Sequence, residues 1–120
     1  MGKWIIIIML MFLNFTPERM FIAEITAYSL HPEECGSNDG ITASGYKLKP
    51  DDSYLKIAVD NDIIKFGTKF ILFLDEPIMV EAVDTGGDIV GNRIDLFIHD
   101  RDKAWEFGRK SVTVMQIKEE

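Results

Sequence analysis

Cysteine is nearly missing from this chain. Its 120 residues hold one, Cys35, so no disulfide can close within the chain. Cys35 is read as an idle thiol in a loop or as a partner for another chain. Histidine is scarce as well. His31 and His99 are the only two, and they are too isolated for a catalytic triad or a metal site. The "HDRD" stretch (His99–Asp102) imitates a metal cluster, but it reads better as the start of a helix. Positive charge is also short: 13 Lys and Arg against 20 Asp and Glu, for a net charge of −7. Without a basic patch the chain is expected to bind no nucleic acid, because neutralising phosphate supplies most of that affinity. The same deficit argues more weakly against tight adhesion to an anionic surface. No repeat or low-complexity tract appears. At 47% hydrophobic and 28% charged, 120 residues suit one globular domain with a modest core.

A run long enough to span a membrane is also missing. "MGKWIIIIMLMFLNF" has one Lys, then apolar residues from Trp4 to Leu13, reaching Phe15 across Asn14. This falls short of the ~20 apolar residues of a spanning helix and has the order of an export signal, charge first and apolar second. A small-x-small cleavage site is missing. The expectation is therefore an exported chain whose residues 1–18 form a hydrophobic leader helix, a signal peptide or an uncleaved membrane anchor, ahead of a domain over 19–120. A buried first strand or helix is the alternative.

What is present beyond the leader repeats with a period of two. In "FIAEITAY", Phe21, Ala23, Ile25 and Ala27 fall on one face. Leu55, Ile57 and Val59 are expected to point one way in the next strand. "KFILFLD" and "PIMVEAVD" flank a turn at Asp75-Glu76-Pro77. "NRIDLFI" and "SVTVMQI" complete the strands. "HPEECGSNDG" has turn residues and no period, so it is a loop. A single short helix is predicted in "DRDKAWEFGRK", with Asp100 as its N-cap, Gly108 as its stop and Trp105 facing the core. Six or seven short strands and one short helix predict a small β-barrel or sandwich, since closure removes sheet edges.

Aspartates interrupt this apolar pattern. In "EAVDTGGDIVGNRIDLF" (Glu81–Phe97), Asp84 and Asp95 each follow an apolar residue. Asp-Thr-Gly at Asp84 is also the triplet of an aspartic protease. Only residues 85–120 follow it, which is short for a flap and the strands crossing such a site. A Gly also stands where the protease motif continues with Ala or Ser. An aspartate beside glycine is equally a turn former. Asp60, at the end of "IAVD", is a third aspartate at a strand end. A charge inside "RIDLF" is costly unless it is paired or functional.

Five pieces together resemble one family: "ITAY" (Ile25–Tyr28), "GITASG" (Gly40–Gly45), "IAVDNDIIKFGT" (Ile57–Thr68), "VEAVDTGGDIVGNRIDLF" (Val80–Phe97) and "AWEFGRKSVTVMQI" (Ala104–Ile117). Their order and spacing are similar to those of the three-aspartate (3D) domain. That domain is a double-psi β-barrel of bacterial cell-wall proteins, related to the catalytic domain of membrane-bound lytic transglycosylase A. The resemblance covers about Ile25 to Ile117. It implies a mainly β fold, a six-stranded double-psi β-barrel with one short helix. It implies that Asp60, Asp84 and Asp95 gather in one groove and that the substrate is the glycan strand of peptidoglycan. It implies no metal and no organic cofactor. The chain departs from the family in two places. A cysteine pair is common before "GITASG", and here only Cys35 remains. Prolines often follow "IAVD", and here Asn61–Lys65 follow. Both differences bear on rigidity more than on chemistry.

Family members of this kind cleave after N-acetylmuramic acid and leave a 1,6-anhydro ring. Such chemistry needs a proton delivered to the leaving oxygen as the sugar becomes oxocarbenium-like. Asp95, between Ile94 and Leu96 and sharing a groove with other carboxylates, is expected to be that acid. Asp84 and Asp60 are expected to tune it, hold hydroxyls or stabilise positive charge. Thr26, Tyr28, Thr42 and Ser44 are candidate groove-lining residues. Tyr28 would stack on a sugar or simply stand exposed on its strand. Gly86, Gly87 and Gly91 are expected to provide positive φ or close approach of a glycan. Arg93 is expected to face away from Asp95, as a surface charge or a substrate clamp. The alternative to an enzyme is a non-catalytic, expansin-like glycan-binding barrel.

Overall fold

The computed structural model describes residues 15–30, 40–50, 52 and 54–119. The leader ahead of Phe15 lies outside these residues, as do Cys35 and His31. Six strands form one closed barrel: β1 (Phe15–Tyr28), β2 (Leu55–Ala58), β3 (Lys69–Phe73), β4 (Pro77–Asp84), β5 (Arg93–Phe97) and β6 (Lys110–Glu119). Around the barrel they run β1-β5-β2-β4-β3-β6. β1 with β5 and β2 with β4 are parallel, and the other neighbours are antiparallel. β1 is already paired at Phe15, ahead of the domain start expected at residue 19.

Period-two patterning produces an inside and an outside. Ala23, Ile25, Ile57, Val59, Phe70, Leu72, Val80, Ala82, Ile94 and Leu96 fill the interior. A second apolar cluster of Tyr28, Leu48, Ala58, Val83, Ile89 and Phe97 lies on the outer face, with Leu30 and Tyr46 packed against it. Alternation explains the split. Ile94 and Leu96 point in, while Asp95 and Phe97 point out.

Leu55 shares the face of Ile57 and Val59, since its register partner is the buried Val80. It opens β2 at the rim and is 37% exposed, whereas the other two are fully buried. One expectation about facing is corrected. Trp105 does not face the core. The helix α1 (Arg101–Phe107) forms as predicted, with Asp100 accepting from the Lys103 amide and Gly108 at the C-cap. Its inner side is Ala104, with Phe107 against the core, and Trp105 is 68% exposed. Ala104 and Phe107 lie about 60° apart around the helix and set its inner face, and Trp105, about 100° on from Ala104 on the other side, is turned to solvent.

Lys56 carried no sequence signal of burial. It lies between strand neighbours at 5% exposure, with its ammonium 2.8 Å from Glu81 Oε1 and 4.8 Å from the Tyr46 ring centre. Opposite charge and an aromatic face together offset the loss of water.

Phe70 is fully buried and meets the Phe21 ring edge-on at 6.0 Å. Phe70→Ala is expected to lower stability by about 3–5 kcal/mol. Trp105→Ala is expected to change it by less than about 0.5 kcal/mol. Urea denaturation of the two variants checks both figures. Equal losses would mean the inside and outside are misassigned.

Candidate active site

The site is built on the outer face of β1, β5, β2 and β4. Asp95, in mid-β5, has two register partners: Thr26 on β1 and Ala58 on β2. Ala58 also pairs with Asp84 of β4. The order across the sheet is therefore Thr26, Asp95, Ala58, Asp84. Two strand spacings place the Cα atoms of Asp95 and Asp84 about 10 Å apart, with only the small Ala58 between them.

Asp84 reaches this face through an irregularity. Ile57 pairs with Ala82, but Ala58 pairs with Asp84, so Val83 is an extra residue in β4. Ala82 points into the core and Val83 points out. Regular alternation would turn Asp84 inward. The bulge turns it outward, which is the common use of a β-bulge beside a functional site.

Asp84 is partly buried and holds three donors. Oδ1 accepts from the amides of Ala43 and Thr85, both at 2.9 Å. Oδ2 accepts from the Tyr28 hydroxyl at 3.3 Å. Asp95, also partly buried, accepts from the Thr26 hydroxyl at 2.9 Å. Asp60 holds two amides of its own. Its Oδ1 closes a turn by accepting from the Asp62 amide at 3.1 Å. Its Oδ2 accepts from the Gly91 amide at 2.9 Å. This ties the loop after β2 to the loop after β4. Asp60 also lies next to the Asp84 backbone, because the preceding amide, Val59, donates to the Asp84 carbonyl.

The remaining candidates sort by burial. Thr26 stands beside Asp95. Tyr28 is neither exposed nor stacked outward: it is 6% exposed and packs on Phe97 with ring centres 5.6 Å apart. It presents only its hydroxyl to the site, through Asp84. Thr42 is also buried, and its hydroxyl serves its own loop, accepting from the Tyr46 amide at 3.2 Å and lying 3.1 Å from Ser44 Oγ. Ser44 is exposed, and its amide donates to the Val83 carbonyl at 3.2 Å. Gly91 has the expected positive φ of 68°. Gly86 and Gly87 do not. A Cβ at Gly86 would crowd Ile89, while Gly87 opens onto solvent.

The expectation for Arg93 is reversed. Residues two apart on a strand share a face, so Arg93 and Asp95 point the same way. Arg93 Nη2 lies 3.5 Å from Thr26 Oγ1, the hydroxyl that serves Asp95. Nη1 donates to the Asp88 carbonyl at 3.1 Å, and Nε is buried with no partner among the described residues. The i, i+2 spacing within "RIDLF" is the signal that points to this. The Ala43 and Thr85 amides leave no side-chain signal at all.

Known proteins share this architecture. Residues 56–118 match the family model described as "3D domain". The chain is 36% identical over 89 residues, 74% of its length, to the "Cell wall-binding protein YocH" of Bacillus subtilis (strain 168), and it spans 29% of that relative. Among solved structures it is similar to E. coli MltA with bound chitohexaose: TM-score 0.54, 25% identity, covering 65% of this chain and 27% of that one. It is also similar to a Clavibacter michiganensis expansin variant in complex with cellohexaose: TM-score 0.60, 15% identity, covering 83% and 51%. The fold is the expected six-stranded double-psi β-barrel.

Asp60→Ala removes the acceptor that joins two loops. It is expected to lower stability by about 1–3 kcal/mol and to speed hydrogen exchange at the amides of Asp62 and Gly91. An unchanged urea midpoint with unchanged exchange would show that the carboxylate does not hold the loops.

Proposed function

This chain belongs to the 3D domain family, and on that premise we propose that it is an exported lytic transglycosylase of peptidoglycan glycan strands. The observation that carries the proposal is the row across the outer face, with Asp95 and Asp84 on either side of Ala58. The small residue between them leaves a floor on which a glycosidic bond can lie between two carboxyl groups. MltA with bound chitohexaose supports a sugar chain as the ligand class. The name of YocH, a cell wall-binding protein, supports the cell wall as the setting.

Asp95 acts as the acid. Its carboxyl proton passes to the bridging oxygen as the bond from that oxygen to C1 of N-acetylmuramic acid breaks. C1 takes on oxocarbenium character, which the Asp84 carboxylate stabilises. Asp95, now ionised, removes the proton from the 6-hydroxyl of the same sugar as O6 bonds to C1. The ring closes as a 1,6-anhydro product and no water is consumed. Thr26 orients Asp95 through one oxygen. Ala43, Thr85 and Tyr28 hold Asp84 in place. Asp60 acts as a positioning residue, fixing the loop that carries Gly86 and Gly87. The apolar run at the N-terminus directs the chain outside the cytoplasm and tethers it to the membrane if it is not cleaved.

A second reading has its own observation. Asp84 and Asp60 both spend their carboxylates on the fold, which suits a barrel that binds wall glycan without cutting it. Product analysis separates the two. Purified peptidoglycan incubated with the protein is expected to release fragments one water lighter than hydrolytic products. Asp95→Asn is expected to reduce that release by at least about 100-fold with an unchanged circular dichroism spectrum. Full activity in that variant rejects Asp95 as the acid. Folded wild-type protein that sediments with the wall and releases nothing supports the binding reading.

A further inference from the structure

Beside the aspartate row, two residues back along β1 and β5, lies a hollow of about 410 Å³. Its walls include Ile22, Glu24, Val90, Asn92, Arg93 and Arg109. Register explains its position. Glu24 pairs with Arg93 on β5 and with Ser111 on β6, and the next pair on the same face toward the C-terminus of β1 is Thr26–Asp95. Arg93 and Asp95 are therefore about 7 Å apart along one strand, on one face. A ligand lying along the aspartate row would reach this hollow.

The hollow has unusual chemistry for so acidic a chain. Ile22 and Val90 stand at its wall, each 65% exposed, and offer apolar contact. Glu24 is matched by Arg109, whose Nη1 is 3.1 Å from its carboxylate. Among the described residues Arg93 is not matched in this way. Its hydrogen bonds there go to a carbonyl and a hydroxyl, neither of which is charged, and its Nε is buried with no partner. Two guanidinium groups and one carboxylate therefore line the hollow, and the unbalanced charge is that of Arg93. Guanidinium is the side chain best shaped to take a carboxylate, through two parallel hydrogen bonds.

We propose that this hollow is a subsite for a carboxylate carried by the muramyl residue of the glycan, with Arg93 as the recognising group. This rests on the glycan-strand reading above and narrows it. A muramyl residue differs from its neighbour in the strand by a lactyl ether, which ends in a free carboxylate when bare and in a peptide with its own carboxylates when substituted. Either source provides the group. The uncharged sugar of a chitin chain provides neither. The subsite distinguishes the two alternating sugars and so sets which glycosidic bond faces Asp95.

The test is binding by the full chain, read by calorimetry with three ligands: chitohexaose, a muramyl oligosaccharide stripped of peptide, and the same oligosaccharide carrying its peptide. Wild type is expected to bind at least one muramyl ligand about tenfold or more tighter than chitohexaose, with an advantage that shrinks as salt rises. Preference for the stripped ligand identifies the lactyl carboxylate, and preference for the substituted one identifies the peptide. Arg93→Gln is expected to remove the advantage while leaving chitohexaose binding within about twofold, and Arg93→Lys to keep part of it. Equal affinity of wild type for all three ligands overturns the subsite. So does an Arg93→Gln variant that weakens all three alike, since that is the mark of a structural role through Thr26. Cleavage is not needed for any of these readings. Selective binding without anhydro products would preserve the subsite and reject the transglycosylase.

Discussion

The Asp84 carboxylate joins parts of the chain that are far apart in sequence. It takes amide protons from Ala43 in one loop and Thr85 in another, and the hydroxyl of Tyr28 at the end of β1. These donors settle where the loop over the outer cluster sits and how Tyr28 lies against Phe97. The loop in turn covers the apolar patch of Ala58, Val83 and Ile89. A carboxylate in such a place gains from several neutral donors what it loses in water. The cover, the outer cluster and the floor beside Asp95 all depend on this one side chain being turned outward.

That orientation comes from the extra residue at Val83. A closed barrel has one dry interior, filled here by Ile25, Ile57, Phe70, Val80 and Ile94, and a carboxylate has no place in it. The bulge lets β4 keep Val80 and Ala82 inside and Val83 in the outer cluster, and still deliver Asp84 to the wet side. Asp95 needs no such device, because alternation already points it out between Ile94 and Leu96. The two aspartates reach one face by different routes. This is why Asp95 stands in mid-strand and Asp84 at a strand end.

Asp60, the third aspartate of the motif, holds the amides of Asp62 and Gly91, and the amide before it, Val59, donates to the Asp84 carbonyl, so it joins the loops that flank Asp84. Arg93, expected to face away, lies with Thr26 and Asp95 on the outer face. Residues two apart on a strand share a side, and the letters of "RIDLF" alone are enough to apply that rule.

The sequence by itself determined the elements and the kinship. Period-two runs, the cap at Asp100 and the stop at Gly108 are local properties, set by backbone geometry and by which side chains tolerate water. The ordered motifs from Ile25 to Ile117 carried the family in the same way. Tertiary structure decided what depends on neighbours distant in the chain. It set the outward turn of Asp84, because a bulge exists only against a paired strand. It set the burial of Tyr28, Thr42 and Lys56, because their partners come from other elements, and the exposure of Trp105, because Ala104 and Phe107 already fill the face toward the barrel. The placing of Arg93 beside Thr26 and Asp95 belongs to the same class, because Thr26 comes from another strand.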